Sequence, residues 1–276
     1  MSSPQAMTWS RPMPRLSSIA LALLLATAGC SPFPDLSELG GGAAPVPSSV
    51  DGGANADGGS GADGGTGFCA SSKHTFCADF DESDALPGVW DSAGAGLALV
   101  GAPASSPPRA VHGNLPRAAT GMPAIALVKQ LDSAWVRTVL ELDVFMAAPS
   151  WQAGDTNVFL AQIELSPGVG FFLWIDSDDL LGVTAQTPSY EPSKSTAGRL
   201  TYGSWTHLRL SVVPSATGGS YDLAVGNPPV SVLTKNVNLT ATPTHDIRLT
   251  VGLEQFNTPA PALDIAFDNV TLDFSP

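Results

Sequence analysis

The chain has 276 residues, with 25 Asp and Glu against 12 Lys and Arg, for a net charge of −13. That balance excludes nucleic acid and anionic lipid surfaces as partners, since both need a basic face. With 28 Gly and 24 Pro and no apolar helical period lasting three turns, it also excludes a helical bundle.

Arg11 and Arg15 are the only charges in the first 29 residues, and the apolar run Ile19–Ala28 (IALALLLATA) follows them. A positive segment before a short apolar core reads as an export signal, and the core is too short to span a bilayer. Ala26-Thr27-Ala28 fits ordinary signal cleavage. Ala28-Gly29-Cys30 resembles the bacterial lipobox, in which the Cys is acylated, palmitate being one such chain; the lipobox usually has Leu where this chain has Thr27. The cysteine count favours the lipobox. Cys69 and Cys77 lie close together, and exported proteins tend to pair their thiols, which leaves Cys30 as the odd one of three. By resemblance to lipoprotein sorting rules, Ser31 after the Cys favours the outer membrane. Residues 1–29 are therefore expected to be a lipoprotein signal peptide.

Residues 30–67 hold the lipidation site and a stretch of Gly, Pro, Ser and Asp with no apolar period, including Asp-Gly-Gly units at Asp51, Asp57 and Asp63. Repeat calcium loops need a large apolar residue in each unit, and these units have none. Such a segment cannot bury enough surface to offset its ordering entropy, so it is expected to be a disordered tether.

Residues 68–276 are expected to form one all-β domain. Candidate strands are Ile125–Gln130, Val136–Phe145, Asn157–Leu165, Gly170–Ile175, Leu180–Gln186, Trp205–Val213, Tyr221–Val225, Val230–Leu233, Ile247–Leu253 and Leu263–Phe274. Leu208, Leu210 and Val212 share one face of their strand, with Trp205, His207 and Arg209 on the other. Asp176-Ser177-Asp178-Asp179 reads as a hairpin turn. Leu263, Ile265 and Phe267 are in one phase and Val270, Leu272 and Phe274 in the other, which predicts a bulge at Asp268-Asn269.

The segments FCADFDE, PGVW, SPPRAV, YGSWTHLRLSV and LDIAFDNVTLDF together resemble concanavalin A-like (laminin G-like) domains. The resemblance implies an antiparallel two-sheet jelly-roll sandwich, with the last strand beside the first. It also raises carbohydrate chemistry. Laminarinase-like hydrolases carry Glu-x-Asp-x-(x)-Glu, because retaining cleavage needs two carboxyls. Here Glu141 and Asp143 match, but Phe145 or Met146 stands where the third acid should be. His207 and Arg209, with Tyr202 nearby, are the residues a polysaccharide lyase on this fold would draw on. Serine elbows, phosphate loops and zinc spacings are not found.

Sugar binding needs exposed aromatic faces, for which Trp151, Trp174, Tyr190 and Tyr202 are the candidates; Trp90, Trp135 and Trp205 are expected to be packing residues. Family topology would bring Asp79, Asp81 and Glu82 near Asp268, so a structural calcium is the one cofactor allowed for. The expected function is non-catalytic carbohydrate or cell-surface binding by a monomeric, outer-membrane lipoprotein held through its lipid anchor. A structural or adhesion role without a sugar site is the first alternative, and a divergent polysaccharide lyase or glycoside hydrolase the second.

Overall fold

Alternation along the strands decides which residues form the core. In Arg137–Met146, Thr138, Leu140, Leu142, Val144 and Met146 are wholly buried, while Arg137, Val139, Glu141 and Phe145 look outward. An extended chain places successive side chains on opposite faces, so one strand supplies both core and surface. The computed structural model describes residues 67–71, 73–81, 83–117, 124–132, 137–155, 157–187, 193–215, 217–239, 246–254 and 259–275. The signal segment, Cys30, the tether to residue 66, Glu82, Trp135 and Tyr190 lie outside them.

The strands in chain order begin with β1 (Phe76–Ala78), β2 (Ser92–Ala93), β3 (Leu97–Val100), β4 (Ala110–Leu115) and β5 (Ala124–Asp132). Then come β6 (Arg137–Met146), β7 (Val158–Ser166), β8 (Val169–Ile175), β9 (Leu180–Gln186) and β10 (Ser193–Arg199). The series closes with β11 (Trp205–Ser215), β12 (Gly218–Val225), β13 (Val230–Val237), β14 (Asp246–Glu254) and β15 (Leu263–Ser275). One sheet has eight strands in the order β13-β12-β11-β6-β15-β4-β3, with β1 also on β15. The other has seven, β10-β9-β8-β7-β14-β5-β2. The strand pairs are antiparallel throughout.

The core lies between the two sheets. Leu140, Leu142 and Leu210 of the first and Leu160, Phe171 and Leu249 of the second belong to it, each at most 1% exposed. Burying one such side chain contributes roughly 1.5–3 kcal/mol. The expected hairpin is β8–β9, its turn held by the Asp176 carboxylate, which accepts the N–H groups of Asp178 and Leu180.

β10 was not among the candidate strands. Its sequence, SKSTAGR, has no apolar alternation, because it is an edge strand paired only with β9. The exposed Arg199 and a bulge between Thr196 and Gly198 keep that edge from pairing further.

β15 carries the predicted bulge. Its register on β6 shifts between Asp268 and Thr271, and Asn269 has φ of 49°. Leu263–Phe267 pair with β4, whereas Val270–Leu272 pair with β1. The bulge is thus where the last strand exchanges one neighbour for another. The pairing with β1 puts the last strand beside the first, as the resemblance implies.

Cys69 and Cys77 form the disulfide, with Cα atoms 5.7 Å apart. It ties the entry turn Phe68–Ser71 to β1. Replacing both cysteines by Ser should lower unfolding stability by about 2–3 kcal/mol, the loop-closure value for so short a ring. Urea denaturation of the full chain with and without reductant measures it; equal midpoints would mean the bridge contributes nothing.

Candidate functional site

Three polar residues at the β15 bulge and β6 are buried, and each is fully occupied. Asp268 is 0% exposed, Asn269 8% and Asp143 9%. Asp268 Oδ2 accepts the backbone N–H groups of Ser105 and Ser106, each at 2.8 Å, and Oδ1 accepts that of Asn269. Asp143 Oδ2 accepts from Ser105 Oγ at 2.6 Å and from Asn269 Nδ2 at 2.8 Å. Ser106 Oγ donates to Asn269 Oδ1. Ser105 and Asn269 therefore bridge two carboxylates that stand opposite each other in register. A buried charge is tolerable only when its acceptor sites are filled in this way.

The outward row of side chains rests on this base. Antiparallel register sets Trp205 against Phe145, His207 against Asp143 and Arg209 against Glu141. The Phe145 and Trp205 rings are 5.8 Å apart and tilted by 56°. His207 Nδ1 donates to Asp143 Oδ1 at 2.8 Å, and its Nε2 lies 3.9 Å from Glu141 Oε2. Arg209 Nε lies 3.0 Å from Glu141 Oε1, an ion pair without the angle of a straight hydrogen bond. The Glu141, His207 and Arg209 side chains are 20–36% exposed. From Trp205 to Arg209 the row runs about 14 Å at 3.4 Å per residue. Toward the other end of β11, Val213, Ser215, Ser220 and Asn236 line a shallow depression of about 380 Å³.

Hydrogen bonding to Asp143 raises the pKa of His207, against a smaller opposing effect of burial. Burial alone would raise Asp143, but hydrogen bonds from His207, Ser105 and Asn269 outweigh it and hold the carboxyl below its usual range. Burial pushes Asp268 up to about 7, opposed by the N–H groups of Ser106, Asn269 and Ser105. Elsewhere on the same sheet, His112 is raised by its hydrogen bond to Asp264.

The sequence candidates separate. Trp151 and Tyr202 come together: Trp151 Nε1 and the Tyr202 hydroxyl both donate to Asp179 Oδ1. Arg117, paired with Asp155, and the Gln152 N–H bonded to Asp155 brace the loop carrying Trp151. Both aromatics are half-buried and pack against the core. The Gly203 N–H bonds to the Met146 carbonyl, which sets Tyr202 at the same end of the sheet as Phe145 and Trp205. Trp174, in contrast, is only 3% exposed, so it offers no ring face. It stands opposite Gly182, where no side chain holds it off the sheet. Trp90 is a packing residue at 3% exposure, stacked on Phe80. Trp205 is half-buried on the outer face, so packing against the sandwich core is not its role. Its phase opposite Leu208 and Leu210 is the sequence signal for that position.

Of the proposed calcium residues, Asp79 and Asp81 lie together, while Asp268 is committed to other partners. Asp79 accepts the N–H groups of Cys69 and Asp81, Asp81 accepts that of Arg109, and Asp268 serves Ser105 and Ser106. Among the described residues no group of three His, Cys, Asp or Glu side chains is arranged to hold a metal ion. Asp81 Oδ2 is nevertheless buried beside Asp79 without a hydrogen-bond partner, so this acidic pair keeps one oxygen that no amide has taken. For the hydrolase pattern, Phe145 points outward and Met146 is buried in the core, so neither side chain supplies a second acid at the Glu141 end of the face.

No protein-family model and no curated protein matches the sequence. Solved structures do. The cellulose induced protein Cip1 matches with a TM-score of 0.51 and 10% identity over 72% of this chain and 97% of its own. The domain is a jelly roll. An alginate lyase from Klebsiella pneumoniae matches at 0.44 with 11% identity over 62% of this chain and 84% of its own. The botulinum neurotoxin type G receptor binding domain matches at 0.45 with 6% identity, covering 67% and 43%. At these identities the likeness extends to the architecture only. What separates one jelly roll from another is the set of side chains on the outer sheet faces.

The raised His207, His112 and Asp268 values act with one sign. Each contributes stability that is full below its unfolded pKa and is lost as pH rises through its folded pKa. The lowered Asp143 works oppositely, but only near and below its own ordinary range. The urea midpoint of the full chain should therefore fall between pH 5 and pH 8, and His207→Asn should reduce the upper part of that fall. A flat profile would contradict the assignment.

Proposed function

We propose that the protein is an exported, lipid-anchored, non-catalytic carbohydrate-binding protein, and that the outer face of its eight-stranded sheet is the binding face. The carrying observation is the registered row Phe145–Trp205, Asp143–His207 and Glu141–Arg209 on β6 and β11. An aromatic pair suits the apolar face of a pyranose, and the adjacent charged side chains suit its hydroxyls. A row about 14 Å long at 3.4 Å per residue fits roughly two or three linked rings. The half-buried Trp151 and Tyr202 are fixed by Asp179 on the β8–β9 turn, and Tyr202 leads into the strand that begins with Trp205.

The anchor is proposed at Cys30. The bond between Cys69 and Cys77 leaves the third cysteine of the chain without an intramolecular partner. Ala28-Gly29-Cys30 after the apolar run supports acylation there, and Ser31 supports the outer membrane as destination. More than one acyl chain would be needed for stable attachment.

Trp205→Ala should weaken binding to an immobilised polysaccharide panel at least about tenfold, in line with the loss of one stacking aromatic, while near-ultraviolet circular dichroism reports an intact core. If the wild-type chain retains no polysaccharide at all, a structural or adhesion role in the envelope takes the place of this reading. Cys30→Ser should move the protein from the membrane to the soluble fraction, and persistence in the membrane would refute the anchor.

A further inference from the structure

We infer that the β6–β11 face selects uncharged glycans and rejects uronate- or sulfate-bearing ones, because Glu141 already occupies the basic groups that an anionic sugar would use; this rests on the glycan-binding reading above. Carboxylate and sulfate groups on sugars are held by guanidinium or imidazolium groups with unspent positive charge. Here Arg209 has Glu141 Oε1 at 3.0 Å from its Nε. His207 gives Nδ1 to Asp143, and its Nε2 faces Glu141 Oε2 at 3.9 Å. Both cations thus have a carboxylate neighbour, and Glu141 lies between them.

The surroundings add negative charge. Asp143, whose carboxyl is held in the charged form by its hydrogen bonds, is buried directly behind the row. One strand farther out, Asp222 lies opposite Ser211, and the hydroxyls of Ser231 and Thr234 both donate to its Oδ2. Arg137, the other basic group on this face of β6, is four residues from Glu141, or about 14 Å away. An arriving uronate would meet Glu141 and Asp222 before reaching an uncommitted cation, and like charges so placed work against binding. A neutral ring meets none of that opposition. Its hydroxyls donate to Glu141 and accept from the guanidinium N–H groups that Glu141 leaves exposed.

The test uses the full chain, titrated at low salt with matched hexasaccharides: neutral cello-, laminari- and xylo-oligomers against oligogalacturonate and oligomannuronate. The wild-type chain should prefer a neutral oligomer by about tenfold or more. Glu141→Gln keeps the side-chain shape and releases Arg209, so the ratio of anionic to neutral binding should rise about tenfold, with the gain abolished by added salt. Asp222→Asn, one strand farther from Arg209, should move the ratio the same way by a smaller factor, and it serves if Glu141→Gln does not fold. Wild-type binding of uronates equal to neutral oligomers, or an unmoved ratio in the folded variants, would overturn the selectivity while leaving the glycan face standing. Failure to bind any oligomer of either class would overturn both.

Discussion

The Asp268 carboxylate organises the outer face of the larger sheet. It sits where β15 changes partner from β4 to β1. Asp268 accepts the N–H of Asn269 at the bulge and those of Ser105 and Ser106 in the connection between β3 and β4. The connection between β3 and β4 is held against the sheet as a result, and through Ser105 and Asn269 the same network fixes Asp143. Asp143 in turn orients His207. A single bulge residue thereby controls three successive layers, from backbone pairing to the imidazole on the surface.

The charge pattern follows a consistent logic. The protein is strongly acidic as a whole, and several basic groups on or beside this sheet have carboxylate partners: His74 with Asp273, His112 with Asp264, His207 with Asp143 and Arg209 with Glu141. Pairs this exposed add little stability in water. Their larger effect is to cancel local positive potential, so the face presents hydrogen-bonding groups with little net attraction for anions. That arrangement distinguishes it from a basic groove made for acidic polymers, although the jelly-roll framework could carry either.

Much of the fold was legible in the sequence because a strand half-buried in a sandwich alternates with a period of two. Leu208, Leu210 and Val212 lie inward and Trp205, His207 and Arg209 outward, as that period requires. The phase change from Phe267 to Val270 likewise announced the bulge. β10 escaped notice because an edge strand has little to bury, and β2 because two residues are too few for a period to register. Trp174 was misread for a related reason. Alternation places it on an outer face, yet it is buried there, and periodicity along one strand carries no information about what covers that strand.

The site was legible only in fragments. Glu141, Asp143, His207 and Arg209 were visible as two polar pairs on two separate strands, and nothing in their spacing joined them. Asn269 was visible only as part of the bulge, and Ser105 and Ser106 carry no signal for their part in the site, since a serine in a Pro-rich loop reads as a turn residue. By itself the sequence determined the class of fold, the phase of each long strand, the bulge and the pairing of Cys69 with Cys77, because each depends on local period or short separation. The register that sets His207 beside Asp143, the burial of Asp268 and its commitment to Ser105 and Ser106 while Asp79 and Asp81 stay together were decided by tertiary structure. Those depend on which strands lie next to one another, and that adjacency comes from closing two sheets around one core.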